Sequence, residues 1–247
     1  MKQSVTVVCH YEYGDPADVV KVERWPIEDI KPNEVLVLMK SAPVSPADLN
    51  MLEGTYAVLP PLPAVVGNEG VGVVAQKGIA VSELRVGQEV ISPFRTGSWC
   101  EAYIAPAREL VGLPPGIEPE QAALCSSIIP TAWRMLEDFV SLNRGDWVVQ
   151  NAANSSVGRS VIQVAKYRFF KTLNLVRRAE LKEELLALGA DAVLTEEEAT
   201  PERVRELTGG TGVRLGLNGV SGKHAHTLAR LVSAHGTMVT YGAVSYT

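Results

Sequence analysis

The stretch Val148-Val149-Gln150-Asn151-Ala152-Ala153-Asn154-Ser155-Ser156-Val157-Gly158 decides how this chain is read. It closes a strand pattern over Asp146–Asn151 and opens a helical one over Val157–Arg168. A dinucleotide-binding unit carries its phosphate loop at such a strand–turn–helix junction. The usual glycine spacing there is G-x-G-x-x-G. Here Ala153, Ser155 and Gly158 stand at the three glycine places, so only the last glycine is kept. Ala and Ser are small enough for close backbone approach, and free N–H groups at the helix start suit a pyrophosphate. Asn154, Ser155 and Ser156 add side-chain donors, with Val157 behind them. The same residues also suit a plain capped turn, because Asn and Ser are favoured N-caps.

The surrounding pattern supports the first reading. Strand-like runs at Thr172–Val176, Ala192–Thr195, Val213–Asn218 and Thr237–Tyr241 alternate with helical runs at Ala179–Leu188, Pro201–Leu207 and Lys223–Val232. Glu118–Leu124 and Thr131–Phe139 read as helices ahead of them. Such alternation predicts parallel strands joined by crossover helices, a doubly wound sheet. Five parallel strands are counted where six are usual, so the sheet reads as incomplete at the chain's end.

The second strand of this unit ends in Arg177-Arg178. An acidic residue at that place accepts hydrogen bonds from the ribose of NAD, whereas guanidinium groups suit the 2′-phosphate of NADP. The pair therefore favours NADPH. The alternative is a solvated helix start, although a basic pair sits poorly at the positive end of a helix.

Residues 1–115 have a different texture. Val5–Cys9, Val19–Val22, Glu34–Met39, Gly70–Gln76, Glu89–Ile91 and Cys100–Ile104 read as short strands, separated by turn signals such as Lys31-Pro32-Asn33. The reading is an irregular, mostly antiparallel barrel. Leu59-Pro60-Pro61-Leu62-Pro63 can form neither helix nor central strand and is expected as a surface loop. The change comes at Leu113-Pro114-Pro115-Gly116, which gives two domains, 1–115 and 116–247.

Composition narrows the function classes. Lys and Arg number 23 against 28 Asp and Glu, a net charge of −5 that argues against a nucleic-acid partner. There is no run of about 18 apolar residues, so no membrane-spanning helix is expected. The first residues lack the features of a secretory or import segment. Cys9, Cys100 and Cys125 are too few and too scattered for a disulfide framework or a Cys-x-x-Cys zinc lobe. A reducing, cytoplasm-like environment fits them. His224 and His226 point apart on a helix, so no metal role is expected there.

Several stretches together resemble the medium-chain dehydrogenase/reductase superfamily, and within it the zinc-free trans-2-enoyl-CoA (enoyl-thioester) reductases of mitochondrial fatty-acid synthesis. They are Tyr13-Gly14-Asp15-Pro16, Ala42-Pro43-Val44-Ser45-Pro46-Ala47-Asp48-Leu49-Asn50, Glu53-Gly54-Thr55-Tyr56, Pro63–Gly72, Gln150–Gly158 and Gly236–Gly242. The resemblance implies a GroES-like irregular β-barrel followed by an incomplete Rossmann sheet. Ser45 and Asn68 stand where zinc-dependent relatives carry Cys and His, so no catalytic zinc is implied.

The implied reaction is NADPH-dependent reduction of the 2,3 double bond of an enoyl-CoA or enoyl-ACP. Tyr56 is implied as the catalytic proton donor, although an amphipathic tyrosine can equally anchor a loop. Asn154 to Gly158 are implied around the pyrophosphate, Arg177 and Arg178 at the 2′-phosphate, and Thr131 near the nicotinamide. Tyr241, Gly242, Ala243 and Val244 form the cofactor-side strand end. The resemblance further implies a homodimer when full length and the mitochondrial matrix as location. Departures are Ile128-Ile129 ahead of Pro130, a shortened turn after Arg177, and an end well short of the family's. A zinc-free quinone oxidoreductase and a non-catalytic short form are the alternatives.

Overall fold

The computed structural model describes residues 4–220 and 222–242. They form two compact units, Met1–Ser127 and Ile128–Thr247.

The first unit holds β1 (Ser4–His10), α1 (Pro16–Val19), β2 (Lys21–Pro26), β3 (Glu34–Ser41), α2 (Pro46–Glu53), β4 (Ala64–Val65), β5 (Val71–Lys77), β6 (Glu89–Ile91), β7 (Ala102–Pro106), β8 (Val111–Gly112) and α3 (Pro119–Ala122). The strands make two antiparallel sheets, ordered β2-β1-β4 and β7-β3-β5-β6-β8. A bridge from Val7 to Cys100 joins them. Val35 and Val37 of β3, Val74 of β5 and Val90 of β6 are fully buried together, as alternation along a pleated strand requires.

Three local features differ from the sequence reading. Val19 ends a helical turn instead of starting a strand, because Asp15 caps that turn through Ala17 N and Pro16 sits at its first position. Ser45-Pro46-Ala47-Asp48 starts a helix that the strand-dominated pattern did not announce. Ser45 and Asp48 form a reciprocal capping box, and Gly54 ends the helix at φ 75°. α3 packs its Ala122 against Val71 of β5, so this helix belongs to the first unit's core.

The second unit holds α4 (Ile128–Glu137), β9 (Trp147–Gln150), α5 (Ser156–Arg168), β10 (Lys171–Val176), α6 (Lys182–Leu188), β11 (Ala192–Thr195), α7 (Pro201–Leu207), β12 (Val213–Asn218), α8 (Lys223–Ala229) and β13 (Thr237–Thr240). Among the described residues its strands form one parallel sheet, ordered β11-β10-β9-β12-β13. The chain starts in the middle at β9, runs out to β11, then returns to the other side, so the order reverses between β9 and β12. Ligands of such sheets bind beyond the carboxyl ends of the strands at that reversal.

Both faces of the sheet are buried. Trp147, Val149, Leu173 and Leu175 pack with Leu228 of α8 on one side. Val148, Leu215 and Leu217 pack with Leu136 of α4 and Val161 of α5 on the other. Val213 lies with the first group although Leu215 lies with the second. The register shift between those two residues accounts for the change of face.

Candidate active site

The turn between β9 and α5 is built on close backbone packing. Ala152 adopts φ 48°, which reverses the chain after the strand. Ser155 is the N-cap, and its hydroxyl accepts a hydrogen bond from Gly158 N at 3.1 Å. A Cβ at Gly158 would come within 2.6 Å of Ala152 O and 2.7 Å of Ala153 Cα. The retained glycine is thus the one at which the helix touches the strand turn. Asn154, Ser155 and Ser156 are exposed. Ser156 N and Val157 N lie in the first helical turn, where no intrahelical acceptor is available. α5 has no acidic side chain in that turn to compete with an anion.

Buried carboxamides hold this turn in place. Gln150 Nε2 donates to Gly158 O at 2.9 Å and to Asn174 Oδ1 at 2.7 Å. Asn174 Nδ2 donates onward to Ala192 O at 3.0 Å. On the other side, Asn151 Nδ2 donates to Asn218 Oδ1 at 2.7 Å, and Gly219 N donates to Asn151 Oδ1 at 2.7 Å. The four amides are at most 1% exposed, so each carries a hydrogen bond that water cannot replace. Sequence reasoning missed Gln150, Asn174 and Asn218 as site-forming groups. The available signal was a polar amide near the carboxyl end of three apolar strands.

Tyr241 follows β13, and its N–H donates to Asn218 O at 3.0 Å. Its ring crosses Gly219 so closely that a Cβ there would lie 2.6 Å from the phenol oxygen. A Cβ at Gly242 would in turn come 2.5 Å from Gly219 O. The Tyr241 hydroxyl is buried without a hydrogen-bond partner. Burial pushes its phenol up, while the Ser155 side chain, near but outside hydrogen-bond geometry, pulls the other way. A glycine-tight cradle at Gly158, free first-turn N–H groups and an orphaned phenol fit a bound dinucleotide.

Arg177 and Arg178 directly follow β10 and are exposed. Arg178 lies 3.9 Å from Glu180 Oε1, a loose surface pair, and Arg177 has no ion pair among the described residues. Thr131 is half-buried near the start of α4, a helix that begins three residues before the sequence reading had it. Pro130 is tolerated there because the first helical turn needs no N–H. The second unit therefore brings Asn154 to Gly158, Tyr241 and Gly242 together at the carboxyl end of its sheet. Ala243 and Val244 lie outside the described residues.

Tyr56 belongs to the first unit. It is half-buried, and its backbone N–H donates to Asn50 O at 3.2 Å just past the end of α2. The Arg95 guanidinium lies 5.8 Å from the centre of its ring. Nearby is a cavity of about 310 Å³, lined among others by His10, Asp48, Leu59, Pro60, Asn68 and Arg95. Asp48, 2% exposed, gathers Ser45 N (2.7 Å), Ser45 Oγ (2.8 Å), Asn68 N (3.0 Å) and Asn68 Nδ2 (2.7 Å). Ser45 and Asn68 thus each direct two hydrogen bonds to one carboxylate. Neither His10 nor Arg95 stands out in the sequence as a site residue.

Comparisons with known proteins agree with this architecture. Residues 31–116 match the alcohol dehydrogenase GroES-like domain family, and residues 156–247 match the family described as zinc-binding dehydrogenase. The chain is 42% identical over 240 residues to a mitochondrial enoyl-[acyl-carrier-protein] reductase of Xenopus tropicalis, covering 95% of this chain and 69% of that one. The Mus musculus counterpart is 42% identical over 248 residues, covering 98% and 66%. The chain thus spans about two thirds of the length of these relatives.

Among solved structures, an Etr1p complex with NADP and crotonyl-CoA superposes with a TM-score of 0.91 at 29% identity, over 99% of this chain and 76% of that one. The mitochondrial 2-enoyl thioester reductase Etr1p/Etr2p heterodimer of Candida tropicalis gives 0.89 at 29%, over 97% and 75%. A Bacillus thuringiensis protein described as a putative NADPH:quinone reductase gives 0.88 at 34%, over 98% and 74%.

Proposed function

This chain belongs to the mitochondrial-type enoyl-[acyl-carrier-protein] reductases of the medium-chain dehydrogenase/reductase family, and from that premise we propose that it reduces the 2,3 double bond of trans-2-enoyl thioesters with NADPH. The observation that carries the proposal is the start of α5. Its first turn is pressed onto the β9 turn at Gly158 and offers unpaired N–H groups beside the orphaned Tyr241 hydroxyl.

Each residue then has a task. Ser156 N and Val157 N, with the side chains of Asn154 and Ser155, bind the pyrophosphate. Arg177 and Arg178 take the 2′-phosphate through charge-assisted hydrogen bonds. Thr131 borders the nicotinamide end, and Tyr241 and Gly242 form the cofactor-side strand end. Bound NADPH supplies a hydride for the β-carbon of the substrate. Electron density then moves onto the thioester oxygen, and a proton must reach the α-carbon to complete the saturated product. The Tyr56 hydroxyl donates that proton or positions a water that does. A thioester-conjugated alkene is electrophilic enough at its β-carbon for this route to need no metal.

Loss of NADPH absorbance with crotonyl-CoA tests the reading. Crotonyl-CoA-dependent oxidation of NADPH, absent with a naphthoquinone in its place, is the expected result. The opposite pattern would assign the chain to quinone reduction, the activity named for the Bacillus thuringiensis neighbour. Carrier-protein thioesters, a mitochondrial setting and a homodimer are carried by the same family premise. Sedimentation of the purified chain checks the last of these.

A further inference from the structure

We infer that Tyr13 is a positioning residue for Tyr56: it clamps the loop that carries Tyr56 at both ends, with its ring against Gly54 and its hydroxyl on Pro60. The inference rests on the proton-donor reading of Tyr56 above and names what holds that phenol in place.

Little else fixes the loop. Thr55 N and Tyr56 N donate to Asn50 O at 2.9 and 3.2 Å, which ties the loop's first residues to α2. The backbone is next paired at β4, where Ala64 and Val65 face His10 and Cys9 of β1. Ala57 and Val58 are exposed, and Pro60, Pro61 and Pro63 have no N–H to give. Among the described residues, the hydrogen bond that reaches residues 57–63 comes from Tyr13, whose hydroxyl donates to Pro60 O at 2.6 Å.

Tyr13 lies in the link from β1 to α1, and that link is itself anchored. Gly14 N donates to Leu52 O at 2.9 Å, which pins the link to α2. The Tyr13 ring meets the His10 ring edge-on, with 5.6 Å between centres. Gly54, at φ 75°, lies so close that a Cβ there would come 3.0 Å from Tyr13 Cβ and 3.1 Å from its Cγ. One side chain therefore touches the residue two before Tyr56 and holds the carbonyl four after it. The Tyr56 ring also faces the Arg95 guanidinium, and Arg95 N is tied to Asn68 O at 2.7 Å. A proton donor must stay within reach of its acceptor, and a displacement of about 1 Å can cost about a hundredfold in rate. A loop loose at one end spreads its hydroxyl over many positions.

The test is a double-mutant cycle on crotonyl-CoA reduction with Tyr13→Phe and Tyr56→Phe. Tyr13→Phe keeps the ring against Gly54 and deletes the tie to Pro60. In the unaltered chain it is expected to lower kcat about three- to tenfold, the worth of one hydrogen bond, with NADPH affinity unchanged. In the Tyr56→Phe background it is expected to change nothing further, because the group it positions is gone. No fall in the unaltered chain overturns the inference. So does an equal fall in both backgrounds, which a general loss of stability would give. Nitrogen-15 relaxation of the backbone at Tyr56, Ala57, Val58 and Leu59 gives a readout without turnover. Order parameters are expected to drop from the rigid range, about 0.85, to below about 0.6 in Tyr13→Phe. Order parameters that stay equal overturn the inference whatever the kinetics. If Tyr56→Phe keeps its full rate, or the unaltered chain does not reduce crotonyl-CoA, the proton-donor reading and the positioning role are lost together. A drop in the order parameters then still establishes the clamp, so the two failures are told apart.

Discussion

Tyr56 and Gly158 make the most local claims. Tyr56→Phe removes one hydroxyl and keeps the ring that faces Arg95. General acid catalysis is commonly worth about 10²–10⁴ in rate, so crotonyl-CoA reduction should fall by at least about a hundredfold while NADPH affinity stays unchanged. An unaltered kcat would return Tyr56 to the part of a loop anchor. Gly158→Ala tests the cradle instead. The added methyl meets backbone atoms at 2.6–2.7 Å, which cannot swing aside as a side-chain tip would. Overpacking of this kind costs roughly 1–3 kcal/mol. We expect a lower midpoint in urea together with weaker NADPH binding. A fully stable variant with intact NADPH affinity would show that the turn tolerates a larger gap than its geometry allows.

At the scale of elements, β7 and its flank predict how the first unit responds to alkali. Burial pushes the Cys100 thiol up from 9.0 to about 11. Burial likewise pushes the Tyr103 phenol from 10.0 to about 12, against the opposing hydrogen bond with Ser92. The folded chain therefore keeps protons that the unfolded chain releases. Their contribution is complete below about pH 9 and is lost as pH rises toward 12. Thermal scans should show Tm falling from about pH 9, with Cys100→Ala making the fall shallower between about pH 9 and 11 without moving its onset, because burial also raises the Cys9 and Cys125 thiols from 9.0. A midpoint that stays level up to pH 11 would contradict this.

Elements are also where sequence legibility can be judged. The parallel sheet was readable because each strand is a short apolar run between helical patterns, a local signal. α2 was not, because its evidence lies in a four-residue capping box that a strand-dominated pattern hides. The amides of Gln150, Asn174 and Asn218 were illegible for another reason. Their meaning depends on partners 24 and 67 residues away, joined only when the strands align. The strand–turn–helix at β9 and α5 and the position of Arg177-Arg178 just after β10 were local and could be read directly. The cavity at Asn68 could not, since it needs Asp48, His10 and Arg95 brought together from separate stretches.

For the whole molecule, cofactor binding and stability are linked. Each unit buries its own core, and the proposed dinucleotide site lies in the second. A ligand that binds only the folded chain adds about 2.7 kcal/mol when present at a hundred times its Kd. For a chain of this size that corresponds to roughly 5–10 °C in Tm. NADPH at such a concentration should raise the transition by that amount. NADH lacks the 2′-phosphate that Arg177 and Arg178 are proposed to hold. Both guanidinium groups are exposed, so solvent screens them and the preference for NADPH is set at about tenfold. NADH at equal concentration then gives about half the shift. Replacing both residues by serine should lower the NADPH response to the NADH level and leave the NADH response unmoved, because the other proposed contacts, at the α5 start and at Tyr241, are common to both cofactors. Equal shifts for the two nucleotides in the unaltered chain would remove the arginine pair from the site while leaving the phosphate turn in place. No shift with either would remove the turn as well.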